Sequence, residues 1–270
     1  ALDVLIVAGD DPGDPALVGA AATGVRRGAR VVVAAPYEGP LRDTTAGRVA
    51  VLEPRIRVPD EFGLCRYLVA GLAALHSVDP GLRVDLAALA EELDAEALRN
   101  SAGREVFTNP AKALVERMAR RRVVLAGDSA ATLALARHGC SVLLRIGHQV
   151  VAATWLADAL VALRTGMPDG FRDPADALFH DEEIDGPLAE RLRVVALTLA
   201  GERTVVEARV ARHRADVDIV GALDVPDMPD AIDAADRPSV PVDRQRAEQQ
   251  LAILTVRLEM AAVYLRLVRG

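Results

Sequence analysis

The chain has 270 residues, 39 acidic against 32 basic side chains, a net charge of −7 and 51% hydrophobic residues. That is enough to bury one large core or two domains of ordinary size. The acidic balance argues against a nucleic-acid partner, whose phosphates favour a basic surface. Aromatics make up only 3%, so the interior must be built from Ala, Val and Leu. Every basic residue but Lys112 is an arginine, which with the heavy Ala, Gly, Val and Pro usage points to a high-GC genome rather than to a function. The run Arg117–Arg122 (RMARRR) reads as a helix C-terminus interacting with its own dipole. Cys65 and Cys140 sit in separate apolar patterns and make no disulfide framework, which favours a reduced, cytoplasmic setting. No apolar run approaches the ~18 residues of a membrane span, and no signal peptide is recognisable, so no membrane partner is expected. The sequence opens at Ala1 and enters a strand almost at once, as if its beginning were missing.

DVLIVAG (Asp3–Gly9) is a continuous apolar run of strand length, expected where both faces of a sheet are covered. Pro15–Arg27 reads as a helix with Asp14 as N-cap and Pro15 at its first position. Strands are predicted at Gly28–Pro36 and Gly47–Pro54, separated by a short helix over Gly39–Ala46. Helices follow at Glu61–His76 and Leu86–Leu98, giving βαβαβα and hence parallel strands with right-handed crossovers. The pattern then restarts, with the join near Asn100–Gly103. Asn109–Arg121 is a helix introduced by an Asn-Pro cap, and Arg122–Ile146 reads as strand, turn, helix and strand. A helix over Val151–Arg164 carries Trp155; strand Arg191–Leu199, helix Thr204–Ala215 and strand Asp216–Leu223 come next. Two long segments, Thr165–Pro187 and Asp224–Asp243, lack a sustained period and are rich in Asp, Pro and Gly, as functional lids or solvated spacers are. The closing helix, Arg244–Arg269, has Leu251, Leu254, Leu258, Ala261, Leu265 and Val268 spaced 3, 4, 3, 4, 3. That narrow seam suits packing along the other unit or a second chain.

Two strand–turn–helix junctions could hold an anion. The first, VLIVAGDDPGDPAL (Val4–Leu17), carries Asp10, Asp11, Asp14 and two prolines where a phosphate would be expected to sit. It matches neither the dinucleotide fingerprint nor a Walker A loop. Its carboxylates do not follow a Ca²⁺-loop spacing, so capping and solvation explain them and no metal is called for. The second, AGDSAAT (Ala126–Thr132), offers Gly127, Ser129 and Thr132 at a helix N-terminus. Phosphate binding and a plain N-cap both account for it. Of five histidines, only His180, in LFHDEEIDG (Leu178–Gly186), combines a long loop with neighbouring carboxylates and so fits acid–base work. No catalytic triad or zinc-ligand set emerges.

Taken in order, these segments resemble the SIS-domain sugar isomerases, most of all the bifunctional phosphoglucose/phosphomannose isomerases, which carry two SIS domains. LIVAGDDPGDPALVGAAATGVRRGARVVV lies where that family has a strand, its S-Y-S-G-N-T phosphate loop and the following helix and strand. GPLRDTTA is similar to its G-x-L-x-x-x-A helix, VPDEFGLCRYLVAGLAAL (Val58–Leu75) to its Q-P-R-A-A-L-G-Y-L segment, and NPAK (Asn109–Lys112) to the opening of its second half. FHDEEIDG resembles its N-H-N-E-I-V-G loop, which makes His180 the counterpart of the catalytic histidine, and MAAVYLRLVRG resembles its last helix. The resemblance spans nearly the whole chain.

It implies an α/β protein of two SIS-like three-layer αβα units with parallel sheets. Residues 1–100 would form the first, incomplete at its N-terminus, and residues 101–270 the second, closed by the long helix. It also implies a homodimer that binds a sugar phosphate through Ser129, Thr132, Gly127, Gly9 and Gly13, with no cofactor. The departures are as telling. Aligned on Gly13, the family's serines fall at Asp10 and Pro12 and its threonine at Pro15, so hydroxyl donors become a carboxylate and two prolines. The family's arginine falls at Asp60, leaving Arg55, Arg57 or Arg66 to reach the same space. Its second-half glutamate finds no match around Arg145–Val151, and its final lysine has no counterpart. Two functions follow: a catalytically reduced SIS protein acting as sensor or scaffold in sugar-phosphate metabolism, or a working aldose–ketose isomerase of hexose 6-phosphates.

Overall fold

The structure is a computed structural model that describes residues 3–53, 59–119, 121–165, 192–224 and 246–269. It divides into two compact units, Ala1–Glu91 and Glu92–Gly270.

In the first unit, β1 (Val4–Ala8), β2 (Arg30–Ala34) and β3 (Ala50–Val51) form a parallel sheet in the order β1-β2-β3. The register pairs Val4 with Arg30 and Val32 with Ala50. Helix α1 (Pro15–Arg26) starts where the sequence places it: Asp14 accepts a hydrogen bond from the Ala16 amide at 2.7 Å, and Pro15 occupies the first turn. The small residues of α1 let it approach the sheet closely. A Cβ on Gly24 would stand 2.7 Å from Leu5 Cδ2 and 2.9 Å from Val31 Cγ2, and Ala21 beside it is fully buried. Val7, Val31, Val33 and Leu41 complete this core, Leu41 coming from α2 (Gly39–Thr45). Burying a side chain of that size stabilises by about 1.5–3 kcal/mol. Helix α2 ends in a left-handed pair, Ala46 (φ 48°) and Gly47 (φ 73°). A short 3₁₀ turn at Asp60–Phe62 leads into α3 (Leu64–Val78).

Helix α4 (Leu86–Arg99) contains the boundary between the units. Its last turns belong to the second unit because Glu96, fully buried, accepts hydrogen bonds from Arg257 Nε (3.0 Å), Arg99 Nη1 (2.8 Å) and Asn100 Nδ2 (2.7 Å).

The second unit is built on β4 (Arg122–Gly127), β5 (Ala152–Trp155), β6 (Leu192–Thr198) and β7 (Val217–Gly221), all parallel, in the order β5-β4-β6-β7. Alternate side chains of β4 serve opposite faces. Val124 and Ala126 pack with Leu156, Ala159 and Leu160 of α7 (Leu156–Thr165) and with Val206 and Val210 of α8 (Arg203–Val210). On the other face Leu125 meets α6 (Ala130–Arg145), where a Cβ on Gly139 would lie 2.8 Å from Leu125 Cδ1 and 3.2 Å from Leu258 Cδ1. Helices α5 (Pro110–Met118) and α9 (Ala247–Arg269) lie on that side, with α9 packed along both α5 and α6. This is a three-layer αβα arrangement.

Several expectations change. The apolar run Cys140–Ile146 is not a strand: α6 continues through it to Arg145. Gly139 is there for close packing of α6 against Leu125 and Leu258. The strand instead starts at Ala152, so Trp155 ends β5 and helix α7 begins only at Leu156. Helix α5 stops at Met118, with Ala119 extended, so Arg121 and Arg122 lie beyond it and do not cap its C-terminus. The last helix is buried on more than a seam. Leu254, Leu258, Ala261 and Leu265 are buried, but so are Ile253, Arg257, Ala262 and Tyr264, while Val268 is exposed. Its partners are α5 and α6 of its own unit. The long segments Thr165–Pro187 and Asp224–Asp243 lie almost wholly outside the described residues.

Candidate functional site

In open parallel sheets, ligands favour the carboxyl ends of the strands, above all where neighbouring strands send their connections in opposite directions. In the second unit that point lies between β4 and β6: α6 leads from β4 to β5 on one side, α8 from β6 to β7 on the other. In the first unit the corresponding place is the turn after β1.

Each carboxylate of the first turn has a task. Asp14 caps α1. Asp11 Oδ1 accepts from the Gly13 amide at 2.7 Å, and its carbonyl accepts from the Asp14 amide at 3.2 Å, which shapes the turn. Asp10 is the one aimed at other elements. Its Oδ1 pairs with Arg66 Nη2 at 3.0 Å and accepts a hydrogen bond from the Tyr67 hydroxyl, both residues coming from the first turn of α3. Arg66 Nη2 also donates to the Tyr67 oxygen at 2.8 Å, and its guanidinium lies 4.8 Å from the Tyr67 ring centroid. Burial first, then the bond to Asp10, pushes the Tyr67 phenol up to about 12. Arg66 Nε is buried and finds no acceptor among the described residues. Several of the donors a phosphate would need are engaged: Pro15 has no N–H, the Gly13 and Ala16 amides serve aspartates, and Arg66 Nη2 and the Tyr67 phenol serve Asp10, which leaves Arg66 Nε. The carboxylate itself fills the place of an anion. Gly9 and Gly13 belong to this turn; a Cβ on Gly9 would meet only the flexible end of Leu17, at 2.4 Å, and one on Gly13 would lie 3.2 Å from Asp11 Oδ1.

The second turn is built differently. Gly127 ends β4 directly beneath the start of α6, where a Cβ would stand 2.2 Å from the Leu133 nitrogen and 2.5 Å from the Thr132 carbonyl carbon. No side chain fits against that backbone. Ser129 caps α6, and Ser129 and Thr132 form a reciprocal capping box. Thr132 is fully buried and its Oγ1 accepts from the amides of Asp128 (3.1 Å) and Ser129 (3.0 Å). It holds the turn in shape rather than facing solvent. The first-turn amides of Ala130 and Ala131, which have no intrahelical acceptor, are the groups left to meet a ligand; the Ser129 hydroxyl lies 3.0 Å from Thr132 Oγ1 and joins them by turning away from it. Asp128 would repel an anion here, but Arg209 of α8, about half exposed, pairs with it.

Beside this turn, at the ends of β6 and β7, a cleft of ≈ 270 Å³ is lined by Thr198, Arg203, Gly221, Asp224 and Gln250 among others. Arg203 is held by Glu207 (2.9 Å) and Asp224 (2.5 Å), and Gln250 Oε1 accepts from the Ala200 amide at 2.7 Å.

Of the residues expected at a site, Gly127, Ser129 and Thr132 share one turn, and Gly9 and Gly13 share the other. His180, Arg55 and Arg57 lie outside the described residues. The sequence alone gives no sign of Tyr67 and Arg209, because 57 residues separate Tyr67 from Asp10 and 81 separate Arg209 from Asp128. His138, expected near a helix end, sits within α6 with Nε2 2.8 Å from Glu259 Oε1. Among the described residues no three His, Cys, Asp or Glu side chains converge as metal ligands, and no helix is long and apolar enough to cross a membrane.

The fold has solved counterparts. The crystal structure of a glucose-6-phosphate isomerase-like protein from Thermus thermophilus superposes with a TM-score of 0.55 at 16% identity, over 99% of this chain and 81% of that one. A candidate phosphosugar isomerase from Salmonella typhimurium gives a TM-score of 0.49 at 15% identity, over 99% of this chain and 73% of its own. No protein-family model and no curated protein matches the chain. The first likeness establishes the fold: an α/β, SIS-like arrangement with parallel sheets and a long closing helix.

Proposed function

We propose that this protein binds a hexose phosphate on an isomerase-type scaffold, with aldose–ketose isomerisation lost or strongly reduced. The observation that carries the reading is the contrast between the two turns. The first holds a carboxylate, Asp10, on its arginine and phenol donors, and its Gly13 and Ala16 amides serve aspartates. The second keeps two first-turn amides without intrahelical acceptors, with a serine hydroxyl shared with Thr132, beside an arginine-neutralised aspartate. A phosphate seated at the second turn would lie on the positive end of α6. Thr132 and Gly127 act by fixing the backbone, Ser129 by donating, and Arg209 by cancelling the Asp128 charge. The neighbouring isomerase-like structure, by what it is called, makes glucose 6-phosphate the ligand to try first.

The reduced chemistry follows from the substitutions. A positioned general base contributes typically ~10²–10⁴-fold, and no carboxylate matches the family's glutamate. Electrostatic stabilisation of an enediolate often contributes more to the rate than any other effect, and the hydroxyls that the resemblance implies in the first turn fall at Asp10, Pro12 and Pro15. His180 retains the chemistry to open a sugar ring, but ring opening does not move the C2 proton.

The test is a thermal-shift titration with glucose 6-phosphate and fructose 6-phosphate. A ligand that binds only the native state, at about a hundred times its Kd, stabilises by about 2.7 kcal/mol. The shift should be lost in Ser129→Ala and reduced in Arg209→Ala. An unchanged shift in both variants would show that the phosphate does not sit at the second turn.

A further inference from the structure

The opposite edge of the second unit's sheet has a different character. At the amino ends of β4, β5 and β6 lies a cleft of ≈ 510 Å³, within the range of small-molecule sites. Three guanidiniums, Arg121, Arg122 and Arg269, line it together with His148, and among the described residues no lining side chain carries a carboxylate. In a chain of net charge −7 that is a concentrated positive field.

Helix ends explain part of it. Arg266 and Arg269 lie in the last turn of α9, where cations are favoured. Arg269 donates from Nη1 to the carbonyls of Gly147 (3.3 Å) and His148 (3.1 Å) and from Nη2 to Gln149 Oε1 (3.4 Å), and Arg266 contacts His148 Nε2. Arg121 has no such helix-end reason to be there. Helix α5 has ended at Met118, and β4 begins at Arg122. Between these charges His148 is held at φ 50°, a left-handed conformation uncommon for a residue with a side chain. Backbone strain of this sort persists where surrounding contacts enforce it, and it gathers at ligand-binding places. The cleft also has apolar lining, from Val150, 84% exposed, ahead of β5 and from the partly buried Leu192 at the start of β6.

We infer that this cleft is a second ligand site, taking a small phosphorylated organic anion. Its phosphate would meet Arg121 and Arg269, and its apolar body would lie over Val150 and Leu192. Arginine suits the phosphate role because its planar fork can donate two parallel hydrogen bonds. The site is independent of the second turn, which lies at the other end of the same strands.

The experiment is calorimetric titration of Ser129→Ala protein, which removes the second turn's hydroxyl, with phenyl phosphate and with inorganic phosphate at matched ionic strength. The expected result is saturable one-site binding of phenyl phosphate with a Kd of about 1 mM or tighter, several-fold tighter than inorganic phosphate. Arg121→Glu should abolish it and Arg121→Gln should weaken it about tenfold. Arg121 is exposed, so both variants should keep the parent's melting temperature, and the Gln variant decides the matter if the Glu variant does not. Absence of saturable binding in the Ser129→Ala protein, or binding that both Arg121 variants leave unchanged, overturns the inference.

Discussion

Replacing Asp10 by asparagine removes a charge while keeping the shape of the turn. In the folded protein Asp10 accepts from Arg66 and Tyr67, and the phenol is raised to about 12 by burial, with the carboxylate adding to it. A raised phenol keeps its proton in the folded state. The stability this brings is therefore complete below the ordinary tyrosine value near 10 and is lost as pH rises through about 12. The Asp10 and Arg66 side chains are 30% and 23% exposed, so solvent screens the pair and its worth is at most about 1 kcal/mol. Asp10→Asn should thus cost little at neutral pH. Its main effect should be on the titration, because burial alone then raises the phenol while Arg66 lowers it. Tyrosinate absorbance reads three residues, Tyr37, Tyr67 and Tyr264. One of them should titrate near 12 in the parent, disappear in Tyr67→Phe, and move measurably toward 10 in Asp10→Asn. A highest titration that Asp10→Asn leaves unmoved would refute the claim that the carboxylate engages the phenol.

Two further outcomes follow from the second unit. Arg257→Met strips Glu96 of its buried partner and takes a donor from the carbonyls of Gly221 (2.9 Å) and Ala222 (3.0 Å), of which Gly221 keeps the Asp224 amide (3.2 Å). Breaking a buried pair costs about 3–5 kcal/mol, or roughly 6–20 °C in melting temperature for a unit of this size; calorimetry showing a loss below about 1 kcal/mol would make the pair dispensable. Gly127→Ala forces a methyl against the backbone of Thr132 and Leu133. It should destabilise by about 1–3 kcal/mol or more and abolish any hexose-phosphate thermal shift, whereas Gly9→Ala, which meets only Leu17, should be milder.

Much of the architecture is legible in the sequence because covered parallel strands are continuous apolar runs. DVLIVAG and RVVLAG announce themselves, and Asp14-Pro15 and Asn109-Pro110 mark helix starts by chemistry that the structure reproduces. The errors fall where one signal has two physical meanings. Arg122–Ile146 reads as strand, turn, helix and strand, but α6 runs on to Arg145, with Gly139 its contact point with Leu125 and Leu258. The run after it is apolar because α6 is buried by α9 and the sheet, so periodicity cannot separate helix from strand. Strand β5 is short, Ala152–Trp155, and runs without a turn residue into α7, so it merges with the helix. The polar partners Tyr67 and Arg209 are invisible because tertiary structure alone brings them to Asp10 and Asp128. The opening aspartates read as solvated; Asp10 is instead the anion that Arg66 and Tyr67 hold.

Hexose-phosphate binding without isomerisation is tested most directly by proton NMR of glucose 6-phosphate incubated with the full chain in deuterated water. Binding broadens the sugar signals, and proton abstraction at C2 would replace that hydrogen with deuterium and yield fructose 6-phosphate. The expected result is broadening that Ser129→Ala removes, with the C2 proton retained. C2 exchange or fructose 6-phosphate appearing at about 1 s⁻¹ or faster, the low end of ordinary enzyme turnover, would contradict it, as would sugar signals that the protein leaves sharp.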